Sequence, residues 1–228
     1  MKVIAFDLSS VCIGCVIAEV EDKEITKIAS CPIIPKKDTN IPIKLGFLKT
    51  KQKCENGLNS YIRYKGETVS KAEKKKRDSL VRESQNKQIL DDISNKLSDV
   101  ITSLKPDIVI MEKHAIFNGI LTSVLLAKIA GILIGVAGDN HIITREYPVS
   151  QIRKRYDLVK MTREFVSTQT PESLSKIPDI TKAAIGLYLS SKYNITFQTY
   201  DESDACAVFD YFFEEEIKWK QTGVNLIL

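Results

Sequence analysis

Two short apolar runs decide the fold of this chain: Lys2-Val-Ile-Ala-Phe-Asp7 and Asp107-Ile-Val-Ile-Met-Glu112. Each run is too short to be a helix of its own, and a continuous apolar run of this length is typical of a strand buried on both faces. Each also ends in a carboxylic acid, at the point where the strands of layered α/β proteins present ligand-binding residues. If the two strands are parallel neighbours, Asp7 and Glu112 meet at one edge of the sheet.

Three more strands are predicted around these two. Residues Val11 to Val20 and Glu24 to Cys31 have strand character and predict an antiparallel meander with the first strand, closed by Pro32. A further run, Ile142 to Glu146, predicts the fifth strand. The order is three strands, helix, strand, helix, strand and then helices. This order favours an α/β fold, a mixed five-stranded sheet with helices on both faces.

Helical periodicity predicts most of the remaining elements. Apolar residues recur at threes and fours from about Ser79 to Ser103, and this helix is predicted to stop before Pro106. Two helices are predicted to finish the chain, at about Asp179 to Tyr193 and about Glu202 to Lys220. The stretch Asp157 to Pro178 carries Ser, Thr, Pro and mixed charge without a clear period, so we predict a mobile loop there.

The segment Asn118 to Gly138 is apolar almost all round and is long enough to cross a membrane. Lys128 at its middle, polar residues, three internal glycines and the lack of flanking charge asymmetry argue against that interpretation. We predict instead a buried helix with one face for the core and another for a second copy of the chain. No membrane partner is expected.

The positive charge of the chain is concentrated in one segment. Between Lys44 and Arg77 there are eleven Lys or Arg and three Glu, a local excess of +8, whereas the whole chain carries +4. We predict one domain, residues 1–228, with a basic insertion at 36–77 after the third strand. The five cysteines follow no secretory signal, which favours a cytoplasmic, non-secreted protein without a disulfide framework. Buried structural cysteines are the favoured interpretation of Cys12 and Cys15, rather than a metal or redox pair.

A second pair of acids opens the predicted last helix in Asp201-Glu-Ser-Asp204. A capping interaction in which Asp201 accepts from the amide of Asp204 would by itself explain this pair. Together with Asp7 and Glu112, however, the pair supplies four hard oxygen donors. Such a set suits Mg²⁺, and two such ions stabilise the attacking and leaving oxygens in phosphodiester hydrolysis.

These motifs resemble the catalytic pattern of RuvC-type Holliday junction resolvases, which have an RNase H-like fold. The resemblance rests on Asp7, Ile110-Met-Glu112 and Asp201-x-x-Asp204-Ala-x-Ala207, in that order, and covers roughly residues 1–35 and 95–215. It implies that Asp7, Glu112, Asp201 and Asp204 are catalytic and bind two Mg²⁺, with Asp7 central and Mn²⁺ able to substitute. Leu8-Ser9-Ser10 departs from the glycine usual after the first aspartate. The basic insertion has no counterpart in the compact bacterial enzymes, which indicates a phage or mobile-element variant.

The resemblance also implies several residues that contact DNA. Glu146-Tyr147-Pro-Val-Ser-Gln151-Ile152-Arg153 is similar to a family segment that ends in a phosphate-contacting residue, which assigns that role to Arg153 and extends it to Lys154. Lys182 matches a basic position near the scissile phosphate, and Phe117 matches an aromatic that stacks at the branch point, although it is equally a hydrophobic staple. Basic residues of the insertion are predicted to track phosphates: Lys74, Lys75, Lys76 and Arg77.

The predicted activity is that of a metal-dependent endonuclease that resolves four-way DNA junctions by paired nicks, acting as a homodimer through the Asn118–Gly138 helix. Three alternatives stay open. A nuclease of the same fold could act on flaps, branches or RNA–DNA hybrids, because specificity lies in the insertion and loops. A non-catalytic nucleic-acid-binding module is disfavoured by the complete carboxylate set. A sugar-kinase-like nucleotide binder would need more glycine after Asp7.

Overall fold

The computed structural model describes residues 1–35, 40–41, 52–53, 71–113 and 120–218. The chain divides into two units, one formed by Met1–Ile34 with Lys96–Leu228 and the other by Pro35–Asn95. The predicted insertion, 36–77, falls inside the second unit. That unit contains two short antiparallel strands, β4 (Asn40–Ile41) and β5 (Gln52–Lys53), and the first part of helix α1. The side chains of Lys74, Lys75, Lys76 and Arg77 lie outside the described part of the chain.

The first unit is built on a five-stranded sheet in the order β3-β2-β1-β6-β7. Its strands are β1 (Lys2–Asp7), β2 (Ile13–Glu21), β3 (Glu24–Ile33), β6 (Ile108–Lys113) and β7 (Ile143–Pro148). β1 pairs antiparallel with β2 and parallel with β6, and β6 pairs parallel with β7. The predicted mixed sheet is therefore confirmed, including the parallel pairing that joins the two acid-ended runs.

Helices account for much of the rest of the described residues. They are α1 (Lys71–Leu104), α2 (Ile120–Asp139), α3 (Val149–Lys154), α4 (Leu158–Ser167), α5 (Pro171–Leu174), α6 (Ile180–Tyr193) and α7 (Tyr200–Phe212), followed by a π-helical segment (Phe213–Lys218). α1 begins at Lys71, earlier than the predicted Ser79. The residues before Ser79 have no apolar period, so the pattern does not reveal them as a helix. They extend the helix because most of them are good helix formers.

The prediction of a mobile loop from Asp157 to Pro178 is wrong, because α4 and α5 occupy most of it. Asp157 caps α4 by accepting from the Lys160 amide at 3.0 Å, and Thr170 caps α5 by accepting from the Ser173 amide at 3.3 Å. Leu158 and Met161 then pack against the core. Capping and one apolar face stabilise short helices in a stretch whose composition is that of a loop.

Both faces of the sheet are buried. Val3, Ala5, Val16 and Ala18 belong to a core that includes residues of α6 and α7, and its largest fully buried side chain is that of Phe209. The residues that alternate with them along β1, Ile4 and Phe6, point to the opposite face and are also fully buried. Continuous apolar strands are the sequence signature of this arrangement.

One fully buried carboxylate, Asp210 of α7, ties three elements of the first unit together. One of its oxygens accepts from Lys192 Nζ and Tyr193 Oη at the end of α6, each at 2.5 Å. The other accepts from Arg155 Nε at 3.2 Å and Tyr156 Oη at 3.0 Å, between α3 and α4. The network holds α6 and the α3–α4 connection at fixed positions on α7.

Asp210→Asn is expected to lower the free energy of unfolding by about 2 kcal/mol, because it removes the shared acceptor of two cations and two hydroxyls. Urea denaturation followed by circular dichroism measures the loss. Glu215→Gln is the matched control, because the Glu215 carboxylate is exposed to solvent where it pairs with Arg155. We expect its free energy of unfolding to change by no more than about 0.5 kcal/mol. An unchanged urea midpoint for Asp210→Asn would refute this role.

Candidate active site

Asp7 and Glu112 lie side by side at one edge of the sheet. The parallel register of β1 and β6 runs to Phe6 opposite Met111, and the two acids are the next residue on each strand. Both side chains are half-buried. Burial raises the pKa of Asp7 well above its usual range, and so does the negative charge of Asp204, Glu112 and Asp201. The structure therefore brings all four predicted carboxylates together around Asp7.

Asp201 and Asp204 reach this edge from the first turns of α7. That helix is capped by Thr199 and Glu202: Thr199 Oγ1 accepts from the Glu202 amide at 3.3 Å, and Glu202 Oε2 accepts from the Thr199 amide at 2.8 Å. The interpretation of Asp201 as the cap of the Asp204 amide is thus wrong. Because Glu202 is fully buried and performs the capping, the two aspartates are not needed for it.

A glycine of β2 lets α7 begin against the sheet at this point. Gly14 pairs with Asp7 in the β1–β2 register. A Cβ on Gly14 would lie 2.7 Å from the Glu202 amide nitrogen, and closer still to the Asp201 carbonyl. Any side chain there would push the start of α7 away from Asp7. Sequence reasoning missed this residue, although a glycine inside a strand pattern signals a close backbone approach.

Cys12 makes a second contact to the start of α7 that sequence reasoning missed. Its Sγ lies 3.9 Å from Thr199 Oγ1 and also hydrogen bonds to the Asp201 carboxylate. Burial and the bond to Asp201 raise the pKa of Cys12 to about 11, so the thiol is neutral at pH 7. Cys12 therefore helps to position Asp201, and it does not pair with Cys15.

Lys182, in the first turn of α6, is the cation of this cluster. Its Nζ donates to Asp204 and forms an ion pair with it. Burial opposes the charge of Lys182, but the bond to Asp204 and the charges of Asp204, Asp7 and Asp201 outweigh burial and raise its pKa. Burial raises the pKa of Asp204 in spite of this ion pair.

The other predicted DNA-binding residues lie at different distances from the acids. Arg153 is exposed at the end of α3, yet its charge acts on Glu112 and Asp204. Burial and repulsion by Asp204 raise the pKa of Glu112, and Arg153 opposes them. Lys154, beside it, is exposed. Phe117 lies outside the described residues.

The donor chemistry of this cluster fits a divalent cation. Four carboxylates share one small region. Burial, and after it their mutual repulsion, raises the pKa of Asp7, and a bound hard cation relieves this repulsion. Among the described residues, however, no three Asp, Glu, His or Cys groups stand at metal-ligand spacing. One Asp204 oxygen is bonded to Lys182, so the charge of Lys182 competes with a bound ion for Asp204.

No protein-family model and no curated protein matches the sequence. Among solved structures, the chain is similar to Thermus thermophilus RuvC in complex with a Holliday junction substrate. That match has 10% identity and a TM-score of 0.51, and covers 95% of this chain and 98% of that one. A second Thermus thermophilus RuvC structure matches at 11% identity over 94% of this chain and 96% of that one, with a TM-score of 0.48. The yeast mitochondrial Holliday junction resolvase matches at 10% identity over 92% and 78%, with a TM-score of 0.41. The first match confirms the predicted fold.

Proposed function

We propose that this chain, which has the fold of RuvC, is a divalent-metal-dependent endonuclease that resolves four-way DNA junctions. The observation that carries the proposal is the convergence of Asp7, Glu112, Asp201 and Asp204, with Lys182 among them, at the edge of that sheet. Structural ion-pair networks are built with balanced charges, whereas here four half-buried acids face one half-buried lysine and one exposed arginine. An excess of partly buried negative charge is typical of a cation-binding catalytic site.

In this proposal the four carboxylates hold two Mg²⁺, for which Mn²⁺ would substitute. The bound ions would stabilise the attacking and leaving oxygens of an in-line displacement at phosphorus. Asp7 is the central ligand, because the charges of the three other acids all act on it. Lys182 and Arg153 hold the scissile phosphate and offset the charge that develops on it. Lys154 extends this basic surface along α3.

The substrate is tested by cleavage of a labelled four-way DNA junction beside linear duplex, a flap and an RNA–DNA hybrid, all at equal concentration with Mg²⁺. We expect the junction to be cut in preference to the other three. Better cutting of the flap or the hybrid would leave the chemistry in place and overturn the substrate. Binding of the junction without any cleavage would favour a non-catalytic module.

Lys182→Gln is expected to bind Mg²⁺ about tenfold more tightly than the wild type, because it removes a cation that competes for Asp204 and Asp7. Isothermal titration calorimetry without DNA measures this affinity. Lys160→Gln, which changes an exposed lysine on α4, is the matched control and should leave the affinity unchanged. Weaker Mg²⁺ binding by Lys182→Gln would refute competition, and the absence of binding to both proteins would refute the metal site itself.

The second element of the proposal is a homodimer formed through α2. Among the described residues, one helix is long and apolar enough to cross a membrane: the α2 window Thr122–Asp139, of mean hydropathy 1.6 and 22% buried. Ile129, Leu133 and Ala137 form its buried stripe, while Val124 and Ile134 are 47% and 41% exposed. The exposed side also carries Gly131 and Gly135, where an added Cβ would meet nothing within 4 Å. An apolar face with small residues suits a second copy of the same helix.

Ile134→Asp is expected to turn a dimer into a monomer without unfolding it, because it places a charge on the exposed apolar side of α2. Multi-angle light scattering gives the mass, and circular dichroism checks the fold. Val159→Asp on α4 is the control, since Val159 is 70% exposed and lies on a helix that packs against α6. A monomeric wild type, or a dimer that survives Ile134→Asp, would contradict this interface.

A further inference from the structure

Two cysteines face each other across the β2–β3 pair. Cys15 and Cys31 are direct partners in the antiparallel register, and both are free thiols. Side chains directly opposite in such a pair have Cβ atoms about 4.5–5.5 Å apart. A disulfide requires about 3.5–4.5 Å, so a small local adjustment of two adjacent strands is sufficient to join them.

The two thiols differ in access and reactivity. Cys15 is 0% exposed, whereas Cys31 is only half-buried and is open to a small reagent. A hydrogen bond from Cys15 lowers the pKa of Cys31, although burial opposes the shift. Since the thiolate is the reacting form of cysteine, the accessible member of the pair is also the more nucleophilic one.

We propose that Cys15 and Cys31 form a reversible disulfide when the protein meets a two-electron oxidant such as glutathione disulfide. The Cys31 thiolate attacks one sulfur of glutathione disulfide and releases a glutathione thiolate. Cys15 then loses its proton to solvent and attacks the Cys31 sulfur, which releases the second glutathione. The two protein thiols are oxidised, and one glutathione disulfide is reduced to two glutathione molecules. Intracellular disulfides of this kind are transient and redox-sensing.

Through Cys15, the Cys15–Cys31 pair lies next in sequence to Gly14, the residue that contacts the start of α7 at the four-carboxylate site. Cys15 directly follows Gly14, whose backbone touches the start of α7 at Asp201. The disulfide would fix β2 to the edge strand β3 one residue from that contact. Cys12 is a poorer partner for Cys15, because its thiol is engaged with Thr199 and Asp201.

The experiment treats the full-length chain with glutathione disulfide, alkylates the remaining thiols and measures intact mass and disulfide-linked peptides. We expect loss of two hydrogens without retained glutathione, one peptide joining Cys15 to Cys31, and full reversal by dithiothreitol. Cys15→Ser should retain one glutathione on Cys31, because no thiol is left to displace it. Cys54→Ser should behave as the wild type.

Three results would overturn the proposal: a wild type that keeps glutathione on Cys31, a disulfide that maps to another pair, or thiols that all stay reduced. The wild-type peptide map decides the question even if the Cys15 variant folds poorly. None of these readouts depends on nuclease activity, so the thiol pair and the proposed function fail or survive separately.

Discussion

Asp7→Asn is expected to lower the rate of junction cleavage by ~10³-fold or more, because the amide cannot replace the charge of the central carboxylate. Asp7 is the acid on which the charges of Glu112, Asp201 and Asp204 all act. Junction binding should stay within about threefold of the wild type, since phosphate contacts come from basic residues such as Arg153. Single-turnover cleavage and a binding titration in Ca²⁺ measure the two quantities separately.

Asp107→Asn is the matched control for this variant. Asp107 immediately precedes β6, at the end of the strand opposite Glu112, and accepts from the Lys2 amide at 2.6 Å. The same change of charge at the end of the sheet opposite the four acids should leave cleavage unaltered. Full cleavage by Asp7→Asn would remove the basis for the four-carboxylate site.

Gly14→Ala is expected to reduce cleavage by about 10²-fold, because the added methyl group displaces Asp201 from Asp7. The backbone of Asp201 and Glu202 occupies the space of the new Cβ, and backbone cannot rotate away as a side chain can. A destabilisation of about 2 kcal/mol should accompany the loss. Cleavage assays and urea denaturation of the same preparation separate the displaced site from simple unfolding.

Gly186→Ala provides the comparison for the glycine variant. Its added Cβ would lie 3.5 Å from Ser203 Cβ, an ordinary packing distance, inside helix α6. We therefore expect wild-type cleavage and equal or slightly higher stability, since alanine favours a helix interior. If Gly14→Ala cut junctions as fast as Gly186→Ala, the close approach of α7 to β2 would not control the site.

The parts of this molecule that are predictable from sequence are those in which a local pattern has one physical solution. A continuous apolar run that is too short for a helix of its own favours an internal strand, so β1 and β6 follow from their length and composition. The meeting of Asp7 and Glu112 then follows from parallel pairing. Helix α1 and the final helices follow from apolar periodicity, within several residues at their ends.

The rest depends on contacts between residues far apart in the chain. A glycine inside a strand signals a close backbone approach, but no residue around Gly14 identifies the Asp201 carbonyl as the group that fills this space. The acid spacing favours Asp201 as the cap of α7, but Thr199 precedes it and Glu202 completes the capping box. α4 escapes sequence analysis because it is only ten residues long and lies in a stretch rich in Ser, Thr and Pro, although Leu158 and Met161 reach a core formed elsewhere in the sequence.

The most direct test is to map the nicks on a four-way DNA junction labelled on each strand in turn, with Mg²⁺ and with EDTA. Four carboxylates that act through bound metal, in a two-fold dimer, predict one nick at symmetric positions in each of two opposing strands, and none with EDTA. Nicking that persists in EDTA would contradict the account, as would the absence of nicking in Mg²⁺ by protein that binds the junction.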